Sequence, residues 1–95
     1  MPLVLSLRSG QDFYLDDSQV IVGKIHGVTK FDVTVAKTGK KHTITEEQAT
    51  EIADDVFLSA GDNPQRGIAR VAIDAPRSVK IVRGDKYRVG PEYIQ

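Results

Sequence analysis

Near the C-terminal end, two short runs with period-two alternation flank Asp74-Ala75-Pro76-Arg77, and this pair of runs constrains the fold more than any other feature. Ala69, Val71 and Ile73 alternate with Arg70, Ala72 and Asp74, which gives a strand one apolar face and one mixed face. Proline lacks a ladder donor and pushes its predecessor towards extended geometry. Ala75-Pro76-Arg77-Ser78 is therefore predicted to connect two strands. Val79, Ile81 and Arg83 then alternate with Lys80 and Val82, and Gly84-Asp85 supplies an end.

The same pattern recurs at the start of the chain. Leu3, Leu5 and Leu7 alternate with Val4, Ser6 and Arg8; Ser9-Gly10-Gln11 turns the chain, and Phe13 to Leu15 forms a short second strand. After the turn at Asp16-Asp17-Ser18, Gln19 to His26 reads as a third strand, with Val20, Val22 and Lys24 on one side and Ile21, Gly23 and Ile25 on the other. Phe31 to Val35 alternates clearly, and Thr38-Gly39-Lys40 separates it from Lys41 to Ile44, which predicts an extra hairpin.

Between that hairpin and the last two strands the period changes. Thr45 and Gln48 fit a capping box, acidic residues crowd the following turn, and Ala49, Ile52, Ala53, Val56, Phe57 and Ala60 fall at helical spacing. With Gly61 as a C-cap, this predicts a helix from about Glu46 to Ser59, followed by a loop at Asp62-Asn63-Pro64-Gln65. Val89-Gly90-Pro91 argues against a long C-terminal helix.

Ninety-five residues make one domain, small enough that a second copy would help to supply a core. The chain has no cysteine, which excludes a disulfide scaffold, a thiolate metal site and a cysteine nucleophile. The start shows no signal-peptide pattern, and no segment approaches the length needed to span a bilayer, so a soluble cytoplasmic protein is expected.

The net charge is zero but segregated. From Arg66 to Arg88 there are seven basic residues against two acidic ones, a net of +5. From Thr45 to Asp62 there are six acidic residues and no basic one. A positive strand edge favours a polyanion.

Two parts of the chain resemble the carbon storage regulator (CsrA/RsmA) family of bacterial post-transcriptional regulators. Ala69-Arg-Val-Ala-Ile-Asp-Ala-Pro-Arg-Ser-Val-Lys-Ile-Val-Arg83 is similar to that family's closing strands. Leu3-Val-Leu-Ser-Leu-Arg-Ser-Gly-Gln-Asp-Phe-Tyr-Leu-Asp-Asp17 and Val20-Ile-Val-Gly-Lys-Ile-His-Gly27 are similar to its opening strands, in the family's order. The resemblance covers about half of the chain.

It implies a mainly β fold with one inserted α-helix: a small CsrA-like β-sandwich or barrel formed by an intertwined homodimer. Residues 1–95 form a single RNA-binding domain in which a hairpin and helix are inserted at about 28–66, where family members have a short loop and carry their helix after the last strand. A second registration reads Phe31 to Ile52 as a degenerate copy of the family's ending, but the later copy matches better.

The implied partners are messenger RNA and small regulatory RNA, in a bacterial or phage setting. A GGA element in a single strand or hairpin loop would lie across the first strand of one chain and the last strand of the other, so that translation is repressed by occupancy. Arg83 aligns with the family's key arginine, and Arg8 with one of two successive basic residues, the other being replaced by Leu7. Ser6 would offer a hydroxyl, and Ala75, Pro76 and Arg77 would present turn backbone to a base. Val79 and Val82 would form apolar walls, Val82 standing where a histidine is common, and Lys80 would attract phosphate, as would Lys24, His26, Lys86 and Arg88. Unpaired base edges can bond to strand backbone while guanidinium groups hold phosphates or bases.

The competing reading is a protein-interaction module of the same fold, an antagonist acting through mixed dimers or through the acidic helix. No nucleophile elbow, phosphate loop or acid pair organises the Ser, His and Asp residues, so no enzyme and no cofactor is expected. His26 and His42 show no metal-ligand spacing.

Overall fold

In a computed structural model, which describes residues 3–27, 29–61 and 66–87, the chain forms nine strands. They are β1 (Leu3–Leu7), β2 (Asp12–Leu15), β3 (Ser18–Gly27), β4 (Lys30–Val35), β5 (Lys40–Thr45), β6 (Thr50–Ala53), β7 (Val56–Ala60), β8 (Ala69–Asp74) and β9 (Ile81–Arg83). One helical turn follows at residues 84–87. The expectations for Asp62 to Gln65, for Arg88 and for Val89-Gly90-Pro91 fall outside the described residues.

Two antiparallel sheets result, with strand orders β1-β8-β7-β6 and β5-β4-β3-β2-β9. Alternation sorts their side chains. Leu7, Val56, Leu58, Ala69, Val71 and Ile73 of the first sheet share one buried cluster with Phe13, Leu15, Val20, Val22, Phe31, Val33, Val35 and Ile44 of the second. Burying an aliphatic or aromatic side chain of this kind contributes about 1.5–3 kcal/mol. Val, Ile, Leu and Phe supply this core, with Ala69.

The predicted hairpin at Phe31 to Ile44 is present as β4 and β5, with Val35 opposite Lys40 and Gly39 at φ 71°. Along β3 the expected alternation stops at Val22. Register shifts between Val22 and Ile25 and again before Gly27 turn Ile25 back to pair with Phe31 and leave Lys24 exposed.

The helix predicted from about Glu46 to Ser59 is not formed. Those residues instead make β6 and β7, a hairpin turned at Asp54-Asp55, with Asp55 at φ 61°. The apolar residues fit two periods, and burial shows which one prevails. Val56 and Leu58 are 3% and 0% exposed, with Phe57 between them at 36%, whereas Ala49 and Ala53 of the helical stripe are exposed. Thr45 ends β5 instead of capping a helix, and the Gly61 amide donates to the Arg70 carbonyl (2.6 Å) within the β7–β8 pair. The docking helix of the protein-partner reading is therefore absent, and Val56, a member of the expected helical stripe, is core.

Pairings between strands distant in sequence close the fold. β1 lies on β8 and β9 on β2, all within one chain. The first and last strands are thus end strands of the two different sheets.

Candidate nucleic-acid interface

Ser6 lies on β1 opposite Arg70 of β8. The Arg70 carbonyl accepts from Gly61 and so faces β7. In an antiparallel ladder the N–H and C=O of one residue point to the same side, so Ser6–Arg70 is a non-hydrogen-bonded pair and the Ser6 backbone groups face the open edge of β1. Val4, two residues earlier, repeats that direction.

Arg83, the last residue of β9, reaches this edge. Its Nη1 donates to the Ser6 carbonyl at 2.9 Å and its Nε to Asp85 Oδ1 at 3.3 Å. Arg70 Nη1 donates to Ser6 Oγ at 2.9 Å. Two guanidinium groups from two sheets therefore meet on one serine. Arg8 follows within the same turn: its backbone N–H donates to Gln11 Oε1 (2.8 Å), the Gln11 N–H returns to the Arg8 carbonyl (3.0 Å), and its side chain stays exposed.

The carboxylates near this pole are held by the chain itself. Buried Asp12 accepts from Gln19 Nε2 at 2.6 Å. Desolvation works to raise the pKa of exposed Asp85. The hydrogen bonds from Arg83 and the Lys86 amide outweigh that and hold it below its ordinary value. Gly84 packs on Asp12 so closely that an added Cβ would collide with the Asp12 carboxylate and lie 2.9 Å from its carbonyl oxygen.

Of the predicted residues, Ser6, Arg8 and Arg83 are brought together. Ala75, Pro76, Arg77, Val79 and Lys80 lie in the β8–β9 connection, at the far end of the same strands. Arg70 to Asp74 of β8 spans about 13 Å at the usual strand rise. The Val79 amide donates to the Pro76 carbonyl (3.0 Å), making the turn, and its partly buried side chain packs against the core. The Lys80 backbone exchanges two bonds with Asp16, at 2.8 and 3.0 Å, and Arg77 and Lys80 are exposed. Val82 is half-buried opposite Tyr14, whose ring stacks on Tyr87 at 3.7 Å. Tyr87 Oη donates to Asp17 (3.1 Å), and that bond and the Asp17 charge raise the Tyr87 pKa.

Arg70 was counted in sequence among the basic residues but given no role at the site. The alternation of β8 puts it on the polar face, and only the register against β1 places it on Ser6.

A second charged cluster lies on the five-stranded sheet, where Asp32 is 6% exposed. Thr43 Oγ1 donates to its Oδ1 and His26 Nε2 lies beside its Oδ2, both at 3.0 Å, with Lys41 Nζ at 3.9 Å. Burial works to raise the Asp32 pKa, but the bonds from His26 and Thr43 and the charges of His26 and Lys41 prevail and lower it. Among the described residues, no three His, Asp or Glu side chains are grouped to hold a metal ion, and no helix is long and apolar enough to cross a membrane.

No family model matches this chain, and no curated protein or solved structure matches it. The likeness to carbon storage regulators rests on the residues quoted for it in the sequence.

Proposed function

We propose that the chain binds single-stranded or hairpin-loop RNA along the open edge of β1 and, by occupying a transcript, controls its translation or stability. The observation that carries this reading is the convergence of Arg70 and Arg83 on Ser6 beside outward-facing strand backbone, with Arg8 exposed next to it. An unpaired base needs donors and acceptors at its edge and a phosphate needs cations, and this pole offers both. The GGA preference comes from the family resemblance alone.

Each chain carries its own pole in this reading. The homodimer implied by the resemblance would then display two poles instead of building each from two chains. RNA held at Ser6 and Arg83 and following β1 and β8 would reach Arg77 at the far turn, about four strand residues away. No covalent step is involved.

The test is a fluorescence-anisotropy titration with a hairpin RNA bearing GGA in its loop, paired with light-scattering mass. Arg83→Ala is expected to weaken binding by about 1–3 kcal/mol, roughly fivefold to 150-fold. Arg77→Ala is expected to cost less, because Arg77 stands at the far turn. Equal affinities for wild type and Arg83→Ala would refute the assignment.

A further inference from the structure

We propose that the opposite end of the sandwich holds a binding site for a small primary alkylammonium ion, separate from the RNA edge. A cleft of about 280 Å³ opens there between the two sheets, just below the ~300–1,000 Å³ range of drug-sized ligand pockets. Its wall comes from both sheets. Leu15, Val20 and Val35 face Ile52 and Val56, and Val79 of the β8–β9 connection closes one side. These are core residues or residues packed on the core, so the floor of the cleft is apolar.

The polar groups at its rim have one sign. Asp16 and Asp54 join Ser18 in the lining, and among the described residues no cation lines the cleft. Asp16 spends Oδ1 on the Lys80 amide. Asp54 sits in the β6–β7 turn and has no hydrogen bond or ion pair among the described residues. Alkyl walls select a hydrocarbon chain, and carboxylates at the mouth select a positive head over a neutral or negative one. A linear alkylammonium ion meets both demands, and n-hexylammonium is a probe of that class.

The turn that builds the rim is fixed. Asp55 adopts φ 61° and its amide donates to Glu51 Oε2 at 3.2 Å, which holds the neighbouring Asp54 in place. Ala53, exposed at the mouth, leaves the entrance open.

The experiment is a ¹⁵N-resolved NMR titration of the full chain with n-hexylammonium, n-hexanol, hexanoate and ammonium chloride. Hexylammonium is expected to shift the amides of Ile52, Val56 and Val79 and to bind more tightly than the other three. Asp54→Asn should weaken it about fivefold, the scale of an exposed ion pair, and Ala53→Phe should weaken it more than about tenfold by blocking the mouth. Both substitutions replace exposed side chains, and unchanged amide spectra elsewhere would verify folding. Equal binding of hexanol or hexanoate, no saturation at millimolar hexylammonium, or no effect of Ala53→Phe would overturn the proposal. So would binding that appears only after residues 88–95 are deleted, which would make the chain's own end the occupant. Loss of RNA binding in Arg83→Ala with hexylammonium binding intact would show the two sites to be independent.

Discussion

The arginine pole and the Asp32 cluster are both built from charged side chains tied across strands, yet their charges are satisfied to different degrees. Asp32 is nearly fully buried, and both of its oxygens are engaged, by Thr43 on one side and His26 on the other. At the pole, Arg83 is one-third exposed and shares its charge with exposed Asp85 at 3.3 Å, and the Arg8 side chain is exposed. A buried charge whose bonds are complete stabilises a fold, whereas surplus charge at an open sheet edge is available to a ligand. Asp32 should therefore act on stability alone, and the pole mainly on binding.

The largest effect that tests this contrast is on Asp32. Asp32→Ala leaves His26, Thr43 and Lys41 around an empty acceptor site and is expected to lower unfolding free energy by about 2–3 kcal/mol in urea titrations. RNA affinity of the folded fraction should not move. A matched loss of affinity under conditions where the variant remains folded would break the contrast.

The same carboxylate gives a pH test whose sign is fixed. Its pKa is lowered on folding, so its contribution is fully present above the unfolded Asp value, about 3.9, and is lost as pH falls through the lower folded value. Urea midpoints measured downwards from pH 5 should fall more steeply for wild type than for Asp32→Asn. Parallel curves would remove Asp32 as a source of acid sensitivity.

Ser6→Ala probes the pole from the structural side. It removes the hydroxyl that accepts from Arg70 but keeps the backbone carbonyl that accepts from Arg83. A stability loss of about 1 kcal/mol is expected, the net value of one hydrogen bond. Because Arg83 keeps its anchor, the RNA affinity of this variant should stay well above that of Arg83→Ala, and equal losses in the two would mean that the serine hydroxyl itself contacts RNA.

Most strands were legible because period-two alternation is local: it marks β1, β2, β4, β5 and β8 without reference to any partner. The β6–β7 hairpin was not. Ala49, Ile52, Ala53, Val56, Phe57 and Ala60 satisfy a helical stripe while Val56, Leu58 and Ala60 satisfy a strand, and only a neighbouring strand, β8, decides between them. The turn that separates the two strands needs a positive φ at Asp55, a conformation that aspartate tolerates but does not announce. Ser6, Arg8 and Arg83 were singled out through the family resemblance. Arg70 was not given a role, because its place on Ser6 follows from the register of β1 on β8, strands more than sixty residues apart in the chain. The cleft at Asp16 and Asp54 was hidden for the same reason, since its walls belong to two sheets.

The smallest predicted effect bears most directly on whether the exposed charge at the pole is spent on RNA. Arg8 bonds to Gln11 through its backbone, so Arg8→Ala should leave the Ser9-Gly10 turn and the unfolding free energy nearly unchanged. If its guanidinium neutralises one phosphate, the variant must release one fewer counterion. The slope of log affinity against log salt should then become shallower by about 0.7, with a loss of affinity that shrinks as salt is raised. An unchanged slope with unchanged affinity would leave Arg83 and Arg70 as the cations that meet the phosphates and shorten the RNA path to the strand ends. An unchanged slope with lower affinity would instead point to Arg8 stacking on or bonding to a base, which is a contact that salt does not screen in the same way.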